Sequence, residues 1–272
     1  MSSRVIRARM SALAGVATLA VVTATLTSAA SPSAEADQQT EKRESVHWSY
    51  HGRTGPDRWA TLSEDFAACG EGREQSPVDL PTDAAIGASS DAAITIDYRP
   101  VTADLVNNGH TVQANVSPGS RIVVDGTPYE LQQFHFHLPS EHTEDGEHTA
   151  MEMHFVHADA AGDLAVVGVL MEREAGESAF TDLWPNLPTE EGGEAAIDEA
   201  FDLTEFLPEG RDQYRYDGSL TTPPCTEGVR WIVLDDPVSV TPGQVTAYRH
   251  IFHKSNRPTQ PLNDRVLTFV ED

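Results

Sequence analysis

The chain has 272 residues and carries 18 Lys and Arg against 43 Asp and Glu, a formal net charge of −25. So acidic a surface repels nucleic acid and anionic membranes, which excludes both as partners. No internal repeat and no second domain boundary is visible, and about 230 residues beyond the amino-terminal segment suffice for one large domain with its own core.

Residues 1–36 read as an export signal. Arg4, Arg7 and Arg9 form a basic region, residues 11–27 are apolar but short and rich in small side chains, and Ala34-Glu35-Ala36 offers a cleavage site. Cleavage after Ala29 is an alternative. An uncleaved anchor is disfavoured by the shortness of the apolar run and by the polar stretch 37–44. The expected layout is a signal over 1–36, a polar linker over 37–45 and a domain over 46–272, in a secreted or periplasmic protein with no membrane span after processing. The two cysteines, Cys69 and Cys225, form an even pair in an oxidising compartment and are expected to be bridged, which would pin the Thr221-Thr222-Pro223-Pro224 loop beside Cys225.

Short β-patterned runs follow at residues 93–98, 111–116, 121–124, 129–138, 150–157, 164–171, 229–234 and 266–270, separated by Gly, Pro, Asn and Asp. Helical patterns are few: 178–187, 197–206, and 242–252, the last opening on Thr241 as cap with Pro242 at the first helical position. The acidic stretch 189–194 with its paired glycines reads as a solvated surface loop. The fold class predicted is mainly β with a few short helices (α+β), a single domain around a large, twisted, mostly antiparallel sheet.

The chemistry concentrates in two of these runs. Side chains alternate across a strand, so Gln133, His135 and His137 share one face while Phe134, Phe136 and Leu138 share the other. In the run 151–157, Glu152, His154 and Val156 share a face opposite Met151, Met153, Phe155 and His157. A long hairpin laying these strands side by side would bring the imidazoles of His135, His137 and His154 together. Three neutral nitrogen ligands with a fourth position left for water are what a catalytic Zn2+ site requires. Each ligand also needs a partner on its other ring nitrogen. Gln133 and Glu152 each lie two residues before a ligand on the same face and supply two of them. His142 and His157 read as buried structural histidines, and His47, His51, His148, His250 and His253 as surface or packing residues.

The runs Gln133-Phe134-His135-Phe136-His137, Ser140-Glu141-His142-Thr143 and Glu152-Met153-His154-Phe155-Val156-His157 resemble the signature segment of the α-carbonic anhydrases. Gln75-Ser76-Pro77-Val78, Asn107-Asn108-Gly109-His110, Gly218-Ser219-Leu220-Thr221-Thr222-Pro223-Pro224, Trp231-Ile232-Val233-Leu234 and Arg257-Pro258-Thr259-Gln260-Pro261 are similar to family segments in the same order. The likeness runs from about His47 to the carboxyl terminus. It implies reversible hydration of carbon dioxide to bicarbonate and a proton by zinc-bound hydroxide, with weak esterase activity as a by-product.

The resemblance also implies roles. Thr221 accepts from the nucleophile and donates to Glu141, which orients without ligating. His110 is the proton shuttle, an imidazole being suited to titrate near neutrality. Tyr50, Asn108 and Gln113 order the waters, while Val156, Val166, Leu220, Thr222 and Trp231 form the substrate pocket. The partner of His137 is a backbone carbonyl near Ser255. Sulfonamides and small anions are implied as inhibitors, and dimers among bacterial members leave a homodimer open. Two departures stand out: Ser255-Asn256 precedes Arg257-Pro258, where many members carry Asn-Trp or Asn-Asn, and Leu138-Pro139-Ser140 after His137 is shorter than in animal forms.

Two rival readings are a metal-dependent cupin, in which Glu141 would join His135 and His137 as a ligand, and a non-catalytic zinc-binding module. Cupin glycines are missing at Tyr129 and His148, and the three ligand histidines that non-catalytic relatives tend to lose are all present.

Overall fold

The computed structural model describes residues 46–81, 87–88 and 94–272. The export signal, the linker up to residue 45, and Ala93 at the head of the first expected strand lie outside the described residues.

The strands are β1 (Asp79–Leu80), β2 (Gly87–Ala88), β3 (Thr95–Asp97), β4 (Val101–Asn107), β5 (Val112–Val116), β6 (Arg121–Val124), β7 (Thr127–His137), β8 (Thr143–Glu144), β9 (Met151–Ala158), β10 (Leu164–Arg173), β11 (Glu194–Phe201), β12 (Gln213–Ser219), β13 (Glu227–Val240) and β14 (Thr268–Val270). Twelve of them form one twisted sheet in the order β11-β4-β5-β7-β9-β10-β13-β12-β14-β2, with β6 pairing both β7 and β3. Most ladders are antiparallel, but β10 and β13 run parallel at the centre, as do β14 and β2 at one edge. The sheet is therefore mixed.

The helices are short: α1 (Trp59–Leu62), α2 (Ala68–Glu71) and α3 (Pro242–Ile251). The last has a complete capping box, Thr241 Oγ1 accepting from the Gln244 N–H and Gln244 Oε1 from the Thr241 N–H, so two otherwise orphaned donors are satisfied.

Two helical expectations fail. Residues 194–201 form an edge strand whose alternating burial lays Ala195 and Ile197 against the core, and only Leu203–Phe206 makes a 3-10 turn. Pairing with β4 overrides the helix propensity of an Ala- and Glu-rich segment. In 178–187 the chain makes turns and one 3-10 turn, Trp184–Asn186, with Pro185 inside it.

The sheet is covered on both faces. One face carries the larger core, in which Phe134, Phe136, Met153, Phe155 and Val167 pack with Phe180, Trp184 and Tyr248. The other carries a smaller core of Val166, Trp231, Val233 and Tyr216, and beside it opens the cavity described next.

A bulge in β7 decides which side chains reach that second face. Leu131 pairs with His157 and Gln133 with Val156, so Gln132 is an extra residue in the ladder. Before it Tyr129 and Leu131 point into the larger core, after it Phe134 and Phe136 do. The one-residue slip turns Gln133, His135 and His137 towards the cavity.

Candidate active site

Adjacent strands bring the three histidines together. His135 stands directly opposite His154 across β7 and β9, and His137 opposite Glu152. Ring centroids lie 5.3 Å apart for His135 and His154, 5.0 Å for His135 and His137, and 4.5 Å for His137 and His154. One ligand atom from each can be chosen so that all three lie within 4.8 Å of one another.

Each ring has one nitrogen already committed. Gln133 Oε1 faces His135 Nδ1 at 2.8 Å, the Ser255 carbonyl faces His137 Nδ1 at 2.6 Å, and Glu152 Oε1 faces His154 Nε2 at 2.7 Å. All three partners are acceptors, so these ring nitrogens carry the protons. The lone pairs left over belong to Nε2 of His135, Nε2 of His137 and Nδ1 of His154. His137 Nε2 is buried without a hydrogen-bond partner. A buried nitrogen lone pair left unmatched is costly, and a cation ligated by three neutral imidazoles answers it, so the donor set fits zinc.

Burial holds all three rings in the neutral form that ligates. It lowers the His137 pKa to about 4, the Ser255 hydrogen bond opposing. Burial and then the neighbouring histidines hold His135 well below the usual imidazole range, and burial likewise lowers His154.

Glu152 anchors the arrangement. Its Oε1 accepts from His154 and from His142 Nδ1 at 2.7 Å, and its Oε2 accepts the backbone N–H groups of Glu141 and His142 at 2.8 Å. Burial raises its pKa, but the attraction of His142 and His154 and their hydrogen bonds outweigh that and hold it well below the carboxylate range. His142 Nε2 in turn meets Tyr216 Oη at 2.7 Å. The second close grouping, His142, Glu152 and His154, is thus held together by hydrogen bonds, in which the Glu152 carboxylate takes one nitrogen of each ring. His157 lies on the far side of the sheet, between Tyr98 Oη and the Ala165 carbonyl.

Glu141 is completely buried, and burial raises its pKa to about 7, against the pull of His154 and of Thr221. Its Oε1 accepts the Arg257 N–H at 2.7 Å. Its Oε2 has no formed hydrogen bond, although the Thr221 side chain approaches the carboxyl. Glu141 stands outside the group of nitrogens that converge, so the cupin reading, which needs it as a ligand, is not favoured.

These groups line one cavity of about 160 Å³. Its lining includes His135, His137, His154 and Gln133, an apolar group of Val156, Val166, Leu220 and Trp231, the hydroxyls of Thr221 and Thr222, and Tyr50, Asn108, His110 and Gln113. Glu141 and Glu152 lie behind the wall. Gln113 Nε2 donates to Asn115 Oδ1, and Asn108 Oδ1 accepts the His110 and Thr111 N–H groups. A disulfide joins Cys69 to Cys225, and the Cys225 N–H donates to the Thr222 carbonyl, so the loop carrying Thr221 and Thr222 is tethered at its far end.

The family-model match to eukaryotic-type carbonic anhydrase spans residues 54–271. The chain belongs to the eukaryotic-type carbonic anhydrase family. A protein named carbonic anhydrase from Klebsiella pneumoniae is 43% identical over 224 residues, 81% of this chain and 90% of the relative. One from Pectobacterium carotovorum is 39% identical over 231 residues, 82% of this chain and 91% of the relative. The α-carbonic anhydrase of Thermovibrio ammonificans, solved with the inhibitor sulfanilamide, superposes with a TM-score of 0.79 at 40% identity, covering 84% of this chain and all of that one. This carbonic anhydrase is therefore an enzyme of carbon dioxide hydration in a family of zinc enzymes.

Sequence reasoning assigned no role to three residues that build the site. Trp48 lines the cavity and stacks on His110. Thr111 Oγ1 donates to the Phe136 carbonyl, fixing the strand between His135 and His137. Arg257 is buried, donates its backbone N–H to Glu141, and gives its guanidinium to the Ser76 and Cys69 carbonyls. An arginine in an Arg-Pro segment with no acidic neighbour was the available signal.

Proposed function

We propose that the cavity over β7, β9 and β10 is where this carbonic anhydrase hydrates carbon dioxide, with Zn2+ held by His135, His137 and His154. The observation that carries the reading is the convergence of three imidazole lone pairs, each selected by a hydrogen bond on the opposite ring nitrogen. When bound, zinc supplies an activated water at neutral pH, lowering that water's pKa to about 7, a value taken from carbonic anhydrases as a class.

The chain's own residues do the rest. Val156, Val166, Leu220 and Trp231 offer water no hydrogen bond, so apolar carbon dioxide is favoured along that wall, with Thr222 at its edge. Glu141, held by Arg257, accepts a hydrogen bond from the Thr221 hydroxyl, which leaves the Thr221 oxygen lone pairs free to accept and so aims the nucleophile at the carbon. One carbon dioxide and one water give bicarbonate and a proton. His110 receives that proton at the cavity mouth through waters ordered by Tyr50, Asn108 and Gln113. Sulfonamides and small anions would bind where the imidazoles converge, as sulfanilamide bound to the Thermovibrio relative suggests.

Residues 1–36 act as an export signal, 37–45 as a linker and 46–272 as the enzyme, delivered to the periplasm or medium. The Cys69–Cys225 bridge suits that oxidising destination, and no helix among the described residues is long and apolar enough to cross a membrane. Stopped-flow hydration with and without a chelator tests the reading. Activity should vanish on zinc removal and return on zinc addition; a zinc-loaded protein that does not hydrate carbon dioxide, or activity indifferent to chelation, overturns it.

A further inference from the structure

His110 is gripped from two sides. Its ring stacks on Trp48, with centroids 3.6 Å apart and planes 8° from parallel, and meets Tyr50 edge-on at 6.5 Å. Against the turn that precedes it lies the acidic loop Glu190-Glu191-Gly192-Gly193, which the sequence alone presents as solvated surface.

That loop is fastened to the turn that carries His110. The Gly192 N–H donates to the Asn107 carbonyl at 2.8 Å, the Asn107 N–H to the Gly193 carbonyl at 3.0 Å, and Asn107 Nδ2 to the Pro188 carbonyl at 3.1 Å. Gly109, at φ +85°, stands between Asn108 and His110, and a Cβ there would lie 2.9 Å from Glu191 Oε1. The missing side chain is what admits the carboxylate against the backbone next to His110. The titratable groups facing His110 are then His47 and Tyr50 from the amino-terminal segment and Glu191 from the loop. Partial burial and the positive charge of a protonated His47 disfavour a proton on His110, and Glu191 favours it.

We propose that Glu191 is a positioning residue for proton transfer: its carboxylate, brought against Gly109 by the loop's backbone bonds to Asn107, stabilises the imidazolium formed when His110 takes the proton. The inference rests on the reading of His110 as proton acceptor. Glu191 is exposed, so the interaction is screened by water and salt. An exposed carboxylate beside the turn favours the imidazolium only modestly, because water screens the attraction.

The test uses the zinc-loaded enzyme and the variants Glu191→Gln, Glu190→Gln and His110→Ala. The His110 ring proton is titrated by NMR, and kcat and kcat/KM are followed against pH in dilute buffer. Glu191→Gln should lower the His110 midpoint, an effect that collapses at about 1 M salt. The kcat profile should move down with it and its plateau fall roughly twofold, with kcat/KM unchanged. Glu190→Gln, which removes the same charge from the same loop, should do neither. An unmoved His110 midpoint in Glu191→Gln, or an equal shift in Glu190→Gln, overturns the proposal. A moved midpoint alongside full kcat in His110→Ala overturns the shuttle reading instead, and with it the part of Glu191 in catalysis.

Discussion

Glu152 Oε1 holds His154 Nε2 at 2.7 Å, and the same carboxylate also takes His142 and two backbone N–H groups. The third histidine is thereby locked to the 140–143 turn as well as to its own strand. A glutamine at 152 offers one acceptor where these donors use two, and sets an NH2 against N–H groups. Glu152→Gln should weaken zinc binding by roughly 10–100-fold and lower the melting temperature of the zinc-free form too. Competition with a chromogenic chelator and thermal melts check both. Unchanged affinity would mean that the His154 tautomer is fixed by something else.

Thr221 sits 5% exposed in a loop bounded by Leu220, whose N–H reaches the Thr226 carbonyl, and by the Cys225 bridge. If its hydroxyl aims the nucleophile, Thr221→Ala should reduce kcat/KM by roughly 100-fold or more, the scale of losing one oriented hydrogen bond in a transition state. Thr221→Ser, which keeps the oxygen, should recover most of that. Stopped-flow rates for the two variants decide the matter, and an alanine variant within about twofold of the parent would remove Thr221 from the mechanism.

The convergence of His135, His137 and His154 and the places of Gln133 and Glu152 beside them were legible from strand alternation, whereas the residues lining the cavity walls were legible only through the family resemblance. The bulge at Gln132 was not read, although the apolar phase changes visibly from Tyr129 and Leu131 to Phe134 and Phe136. It matters because an unbulged strand with Leu131 buried would bury His135 as well. Strands 101–107 and 213–219 were missed because Asp104, Asn107, Arg215 and Asp217 dilute the β pattern, and their stability comes from neighbours on both sides. The parallel pairing of β10 with β13 joins segments separated by two other strands in sequence. No local pattern encodes it.

The bridge between Cys69 and Cys225 closes a loop whose ends are 156 residues apart. Restricting the unfolded chain by a closure of that length gives about 5 kcal/mol as an upper figure. Cys69→Ser paired with Cys225→Ser, or full reduction, should therefore lower the melting midpoint by up to about 15 °C. It should also reduce kcat/KM, because Arg257 donates to the Cys69 carbonyl and to Glu141. Calorimetry with and without reductant tests the first, hydration rates the second. An unchanged midpoint would show that packing around Trp59 holds this corner alone.

His157 shapes the stability of the enzyme in acid without entering the cavity. Burial lowers its pKa to about 3, with the hydrogen bonds to the Ala165 and Phe155 backbone opposing. An unfolded histidine titrates near 6.5. Between the two values the unfolded chain carries a proton that the folded chain lacks, so stability is full above about pH 6.5 and falls as the pH drops towards 3. One such group contributes a slope of about 1.4 kcal/mol per pH unit within that window. His157→Gln, which retains a donor for Ala165 and an acceptor for Tyr98, should unfold more easily at pH 8 yet lose less on going from pH 6 to pH 4. The comparison is made by urea unfolding of the zinc-loaded proteins at each pH, and the difference between parent and variant isolates His157 from His135, His137 and His154. Equal slopes would mean that His157 keeps its proton in the folded state and that Tyr98 and Ala165 both serve it as acceptors.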